Sequence, residues 1–234
     1  MTRSPIPLLT TLGVCLAFAA CRTPRPVVLR DADYPGTLQA PATLPVEAVW
    51  QQRVTASWQA PGQPPQERGF DAAVQRRGDT LTVIGLSPMG SIGFSIEQGP
   101  DGIDVVNNIP EQMVIPPRFI LLDVQRAFFP WFDDDMQDGE RSADRDGERI
   151  TERWADGRLR ERTFTRLDGA RDGTIRISYR WTRSGDADPQ WADPEWADSE
   201  WALPPHAVLD NAWFGYRLTI DTSSETRLPT EAPK

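Results

Sequence analysis

The residues best suited to catalysis in this chain are its single histidine, His206, and a serine that lies between glycines, Ser87. A nucleophile elbow has the spacing Gly-x-Ser-x-Gly on a tight strand-to-helix turn. Here the second glycine, Gly90, comes three residues after Ser87, and a proline follows the serine directly. We therefore expect a turn serine and no Ser–His catalytic pair, and we expect that the protein is not an enzyme.

The acidic residues that could bind a cation cluster in residues 133–148. An EF-hand loop needs oxygen ligands at alternate positions, glycine at the sixth position and glutamate at the twelfth. Counting from Asp133 places Asp138 at the sixth position, and counting from Asp144 places Arg149 there. Zinc is disfavoured because only one histidine is available. We expect an exposed acidic insertion with no metal site and no cofactor.

The formal net charge of the chain is −9. A surface of this sign repels the phosphates of nucleic acids and the headgroups of anionic lipids. Nucleic acids and anionic lipid surfaces are therefore expected to be poor partners.

Apolar residues recur at helical spacing in one segment, which begins at Pro116-Pro117 and ends at Pro130. The stripe that they form consists of Ile120, Val124, Ala127, Phe128 and Trp131, with Phe119 and Leu122 beside it. This apolar surface is wider than packing against one sheet face requires. Two interpretations follow: an ordinary core helix, or a helix that lines a hydrophobic cavity.

The segments on either side of this helix alternate apolar and polar residues, as half-buried strands do. Before the helix, five strands begin at Val46, the last two joined by the hairpin signal Gly99-Pro100-Asp101-Gly102. After it, strands are predicted at 148–154, 159–166, 174–181 and 215–221. The fold class is therefore mainly β with a central helix (α+β), a helix packed on an antiparallel sheet.

The N-terminal residues 1–20 have the features of a secretory signal, and Phe18-Ala19-Ala20-Cys21 resembles the lipobox of bacterial lipoproteins. Cys15 lies in the signal, so Cys21 has no cysteine with which to form a disulfide. The resemblance implies lipidation of Cys21, and Arg22 favours the periplasmic face of the outer membrane. The alternative is an ordinary signal that is cleaved nearby. Residues 21–45 are rich in proline and predict an extended tether.

Three tryptophans, Trp191, Trp196 and Trp201, recur with a period of five in the predicted loop 184–205. Prolines and acidic residues between them favour a flexible loop. The tryptophans either pack back on the sheet or contact a membrane interface or a partner protein. Residues 223–234 predict a flexible tail.

Three passages together resemble a family of uncharacterised bacterial lipoproteins that is associated with aryl polyene biosynthesis. The passages are Leu81–Gly90, Ile115–Trp131 and Phe214–Ile220, and the resemblance covers about residues 46–222. That family is similar in layout to the lipoprotein carriers LolA and LolB. The resemblance implies an incomplete antiparallel β-barrel, or curved sheet, whose hydrophobic concave side is plugged by helix and receives acyl chains.

On this resemblance we expect an outer-membrane-anchored protein that binds a lipid or a lipidated ligand, either lipoprotein acyl chains or an aryl polyene lipid. Periplasmic carriers or other envelope proteins are its expected partners. The residues predicted to line the cavity are Leu81, Val83, Phe94, Ile96, Phe119, Leu122 and Phe128. The alternative from another class is a non-enzymatic scaffold of an envelope complex that uses the tryptophan loop for contact.

Overall fold

The structure is a computed structural model, and it describes residues 34–59, 62–87, 89–108, 115–133, 137–168, 173–181 and 203–229. These residues form one α-helix, one short 3-10 turn at Pro41–Thr43, and an 11-stranded sheet. The elements are β1 (Ala48–Trp58), β2 (Gln66–Arg77), β3 (Thr80–Leu86), β4 (Ile92–Gly99), β5 (Gly102–Asn107), α1 (Pro117–Phe128), β6 (Gly139–Arg145), β7 (Glu148–Ala155), β8 (Arg158–Arg166), β9 (Thr174–Arg180), β10 (His206–Asn211) and β11 (Tyr216–Arg227).

The sheet has the strand order β5-β4-β3-β2-β1-β11-β10-β9-β8-β7-β6, with antiparallel neighbours throughout. β1 to β5 form the predicted meander. β11 returns to pair with β1 from Ala48 opposite Arg227 to Trp58 opposite Tyr216. The sheet therefore stays open, with β5 and β6 as its two edges.

The sheet curves around α1. Gln125 of the helix donates to Gln98 of β4, and the next residue, Arg126, pairs with Glu148 of β7. β4 and β7 are second and tenth in the strand order, so a flat sheet would separate them by roughly 38 Å at about 4.8 Å per strand. A helix with its side chains is only about 10 Å wide. The structure thus confirms the predicted fold class, a curved antiparallel sheet with a central helix on its inner face.

The core lies on this inner face, between the sheet and α1. Trp50 near the start of β1 is fully buried, as are Ile177 of β9 and Leu209 of β10. Burial of each such side chain stabilises the fold by about 1.5–3 kcal/mol. On β1, β2, β3 and β9 the more buried residues alternate with less buried ones along the strand. This is the burial that the alternating apolar and polar residues of the sequence predict.

Three segments differ from their expected organisation. Residues 34–44 are packed on the inner face, since Tyr34 and Leu44 are both buried, and so they are not free tether. Residues 139–145, expected within an exposed insertion, form β6, whose side chains are nonetheless mostly exposed. β11 continues to Arg227, beyond the predicted start of the tail, because its polar end pairs through the backbone with β1.

The helix ends agree with the proline signals. Pro116 is the N-cap residue and Pro117 the first helical residue, where a missing N–H is tolerated. Phe129 is the C-cap residue, one position before Pro130. Among the described residues no helix has the length and apolarity to cross a membrane.

Candidate functional site

The central helix is buried over most of its surface: Ala127 and Phe128 of the predicted stripe are buried, and so are its polar residues. Asp123, Gln125 and Arg126 are buried, whereas Ile120 and Val124 of the predicted packing stripe are only half-buried. An amphipathic helix normally buries its apolar stripe and exposes its charges. α1 therefore needs hydrogen-bonding partners inside the sheet for its charged groups, and it leaves part of its apolar side open.

One set of partners comes from residues 34–44, which we name the strap. Arg126 Nη2 donates to the carbonyl of Pro35 at 2.6 Å, and Arg118 Nη1 donates to that of Tyr34 at 3.2 Å. Further along, the Gln39 N–H donates to Oε1 of Gln125 at 2.8 Å. The strap therefore runs beside α1 and satisfies its polar side chains through backbone groups.

A buried carboxylate, Asp123, is the centre of the polar cluster. Both of its oxygens accept hydrogen bonds from tyrosine hydroxyls, one from Tyr34 and the other from Tyr216. Asn211 Nδ2 in turn donates to both tyrosine oxygens, at 2.8 and 2.9 Å. Burial raises the pKa of Asp123, against the lowering effect of Arg126 and of the two hydroxyl donors. Burial, followed by the charge of Asp123, raises the pKa of both tyrosines well above the ordinary value.

Arg126 lies beside this carboxylate without any exposed surface. Its Nη2 is 2.9 Å from Oε2 of Glu148, and its guanidinium lies over the rings of Tyr34 and Phe164, at 4.4 and 5.2 Å from their centroids. A buried arginine is tolerated only when it is paired and hydrogen-bonded in this way. The pair with Glu148 ties α1 to β7.

A second buried pair holds the end of the helix. Arg162 donates to the carbonyl of Arg126 at 2.7 Å and pairs with Glu152 at 2.7 Å. The Tyr179 hydroxyl donates to the carbonyl of Ala127 at 2.9 Å. Burial opposes the ionisation of Glu152, but Arg162 and its hydrogen-bond donors hold the pKa of Glu152 below the ordinary value. Free carbonyls of the last helical turn are satisfied by these side chains.

The opposite half of the inner face, on β3 to β5, is apolar. Leu81, Val83 and Ile96 are buried there, and the ring of Phe94 lies across Gly85. A Cβ at Gly85 would stand 2.2 Å from that ring, so only glycine lets the phenylalanine cover the strand.

This apolar half is open at the edge of the sheet. Ile103 and Val105 pair with Gln98 and Ile96, so they share the inner face, yet they are 36% and 44% exposed. α1 contacts both β4 and β5. We define the edge face as the half-open apolar surface of this region, formed by Phe94, Ile103, Val105, Ile120 and Val124.

The structure brings together only part of the predicted cavity lining. Leu81, Val83, Phe94 and Ile96 share the inner face of β3 and β4. The three helix residues are buried elsewhere in the core: Phe119 contacts the rings of Tyr34 and Phe214 at 4.6 and 5.4 Å, Leu122 lies close to Gly36 of the strap, and Phe128 is at the end of α1. The predicted role of these seven residues in ligand binding remains a prediction.

Two features of the inner face and its surroundings were not predicted from the sequence, the exposed residues of β5 and a separate groove. Ile103 and Val105 carried the signal of strand alternation, but which strand forms the edge depends on pairing with distant segments. A groove of about 410 Å³ also lies between the β1–β2 and β10–β11 turns. Its walls include Trp58, Asn211 and Tyr216 and none of the seven predicted residues.

The residues first considered for catalysis do not meet. Ser87 lies in the β3–β4 turn, where its Oγ is 2.7 Å from that of Ser91. His206 begins β10, with Nδ1 2.6 Å from Asp221 and Nε2 2.6 Å from Arg180. Three strands separate β3 from β10 in the sheet. Within the described segments there is no group of three or more His, Cys, Asp or Glu residues that could hold a metal ion. Cys21, Trp191, Trp196 and Trp201 lie outside the described residues.

Comparison with known proteins gives one family match. A family model described as a protein of unknown function (DUF3261) matches residues 49–224. No curated protein matches the sequence significantly.

Similar solved structures have low sequence identity to this chain. A LolA superfamily protein from Nitrosomonas europaea is 14% identical with a TM-score of 0.39, over 82% of this chain and 96% of that one. A putative outer membrane lipoprotein-sorting protein domain from Vibrio parahaemolyticus is 10% identical with a TM-score of 0.39, over 80% and 88%. A DUF1329 family protein from Desulfovibrio piger is 13% identical with a TM-score of 0.32, over 80% and 88%.

Proposed function

We propose a function from the geometry of this chain, which belongs to the DUF3261 family of proteins of unknown function. The protein is an envelope lipoprotein, anchored through Cys21 to the periplasmic face of the outer membrane, that accepts a lipid-like hydrophobic molecule. The ligand lies on the edge face, between α1 and the β4–β5 hairpin.

The observation that carries this proposal is the orientation of α1. The helix turns Asp123 and Arg126 into the protein and leaves Ile120 and Val124 half-buried. It also contacts β5, the strand on which Ile103 and Val105 are exposed. A hydrocarbon chain that covers such a surface is stabilised by about 0.8 kcal/mol for each methylene removed from water. An acyl chain of a dozen carbons therefore needs no charged contact to bind tightly.

The hairpin formed by β4 and β5 is suited to bind the hydrocarbon part of a lipid and not its headgroup. β4 and β5 contain no basic residue, so they offer no cation for a phosphate or carboxylate. Lipoprotein acyl chains or an aryl polyene lipid, as the sequence resemblance implies, are the candidate ligands. The protein acts as a carrier or acceptor and performs no chemistry on its ligand.

Photolabelling tests this proposal. The purified full chain in detergent is illuminated with a diazirine-bearing fatty acid, and labelled peptides are mapped by mass spectrometry. We expect labels on β5 and α1, and a large loss of labelling in Val105→Asp. Val106→Asp is the matched control, because Val106 pairs with Ser95 on the outer face of the same strand. Equal labelling of the two variants, or labels elsewhere, would overturn the proposed site.

A non-enzymatic scaffold is the second candidate, and one observation favours it. Six of the seven residues predicted to line a cavity are at most 5% exposed, so the interior around them is filled by side chains. A scaffold would yield no lipid in an organic extract of the purified protein, whereas an acceptor isolated from its own membrane would yield one.

A further inference from the structure

Three glutamine side chains meet where the strap crosses the inner face. The carbonyl of Gln39 accepts from Nε2 of Gln98 at 2.8 Å and from Nε2 of Gln125 at 3.0 Å. The Gln39 N–H donates to Oε1 of Gln125, and Nε2 of Gln125 donates to Oε1 of Gln98, both at 2.8 Å. Gln98 and Gln125 are buried. We name these three residues the glutamine cluster, which joins the strap, β4 and α1 through neutral amide groups.

One donor of the glutamine cluster has no acceptor. Nε2 of Gln39 is buried, and it has no hydrogen-bond partner among the described residues. A side-chain amide nitrogen carries two N–H donors, and a buried donor that stays unpaired costs free energy. The contacts of Gln39 with Gln98 and Gln125 are made by its backbone. Its side-chain amide is therefore available to an acceptor from outside the described residues.

The glutamine cluster lies at one end of the edge face. Gln98 is directly opposite Ile103 in the β4–β5 ladder, close to the turn of that hairpin. Gln125 directly follows Val124 in α1. Ile103 and Val124 both belong to the edge face, so an apolar chain that covers this face ends beside the three amides.

The charges around the glutamine cluster disfavour an anionic ligand. The charged residues of β4, β5 and their turn are Glu97, Asp101 and Asp104, all acidic, and residues 34–44 contain no charged side chain. Arg118 and Arg126 of α1 are already bonded to carbonyls of the strap. A carboxylate or phosphate would lose its hydration here without gaining a cation. A neutral carbonyl oxygen accepts an N–H bond and brings no charge that needs compensation.

We infer that the glutamine cluster binds the carbonyl group that joins an acyl chain to its headgroup, in an ester or an amide. The carbonyl oxygen accepts from Nε2 of Gln39, and the hydrocarbon chain extends over Ile103 and Val105 of the edge face. Gln39 is half-buried, and its amide nitrogen turns toward the ligand without breaking a hydrogen bond within the described chain. The inference rests on the proposed function, since it names the chemical class of that ligand.

Competition during photolabelling tests the inference. The full chain in detergent is labelled with a diazirine-bearing acyl methyl ester, and the unlabelled competitors are the ester, the N-methyl amide, the ionised fatty acid and the alkane of the same chain length. We expect the ester or the amide to compete at concentrations about tenfold lower than the fatty acid and the alkane, the value of one hydrogen bond. The stronger of the two identifies the linkage.

The outcomes separate this inference from the proposed function. Equal competition by all four compounds would overturn the inference and leave lipid binding on the edge face in place. Absence of labelling on β5 and α1 by the ester and by the fatty acid would overturn both.

Variants of Gln39 sharpen the result. Gln39→Met removes the side-chain amide and keeps the backbone bonds, so the ester should lose its advantage over the alkane while the melting temperature does not fall. Gln51→Met, at an exposed residue of β1, is the matched control and should keep the ester preference. Gln39→Lys supplies a cation, so the fatty acid should become the stronger competitor. An ester preference that survives in Gln39→Met would overturn the inference, and so would an unchanged order of competitors in Gln39→Lys.

Discussion

Arg126 of α1 and Glu148 of β7 form an ion pair that is entirely inside the protein, with Nη2 2.9 Å from Oε2. The two side chains are 0% and 3% exposed. This contact, together with the hydrogen bond from Arg126 to the strap at Pro35, explains why the charged side of the helix faces inward.

Removal of the acidic partner should destabilise the fold strongly. Glu148→Gln removes the carboxylate that pairs with Nη2 of the buried Arg126 and leaves only Asp123, 3.6 Å from Nη1, as its counter-charge, and we expect a loss of about 3 kcal/mol in the free energy of unfolding. Urea denaturation followed by circular dichroism measures it. The control is Asp144→Asn, which breaks an exposed ion pair with Arg149 and should change stability very little, because water screens such a pair. Equal effects of the two variants would contradict this account.

The tyrosines should titrate only when the protein unfolds. The chain has three tyrosines, and burial raises the pKa of Tyr34 and Tyr216 well above the ordinary value and that of Tyr179 to about 12. An ordinary tyrosine ionises near pH 10, so the unfolded chain loses these protons first and stability falls as the pH rises above about 10. Absorbance at 295 nm should show no tyrosinate in the native protein at pH 10.5 and substantial tyrosinate in urea. A native titration near pH 10 would show that the hydroxyls are not buried as described.

Asp123 should contribute less to the stability of the fold as the pH rises. Its pKa is raised in the folded state, so the folded protein holds this proton more tightly than the unfolded chain. The contribution of Asp123 is therefore most favourable at low pH and is lost as the pH rises from about 4 through the folded pKa. The stability difference between wild type and Asp123→Asn should shrink from pH 4 to pH 7. Asp144, whose pKa Arg149 lowers, should show the opposite trend in Asp144→Asn.

Gly85 should not tolerate a side chain. In Gly85→Ala the new methyl group meets the Phe94 ring at 2.2 Å, so the ring must move from the inner face. We expect destabilisation of about 1–3 kcal/mol by overpacking. The control is Gly99→Ala, where nothing lies within 4 Å of an added Cβ. Partial recovery in Gly85→Ala combined with Phe94→Leu would identify the ring as the cause, and no recovery would contradict it.

The sequence predicted the helix ends and the β1–β5 meander well, because prolines and residue alternation are local signals. It predicted the burial of Ala127 and Phe128 but not that the polar residues of α1 are buried as well. Periodicity groups Ile120 with Val124, but the burial of Arg126 depends on Glu148, which belongs to another element. The edge position of Val105 was not predictable for the same reason, since an edge is defined by the strand that is missing. The strap was taken for tether because its prolines also suit an extended linker, and only its packing distinguishes the two.

The pairing of β1 with β11 joins Ala48 to Arg227, near the two ends of the described chain. In the described sheet the two halves pair with each other only along this seam, so a nascent chain that still lacks β11 has no strand to unite them. Completion of the sheet is thereby deferred until the C-terminal strand is available, whichever half of the chain becomes ordered first.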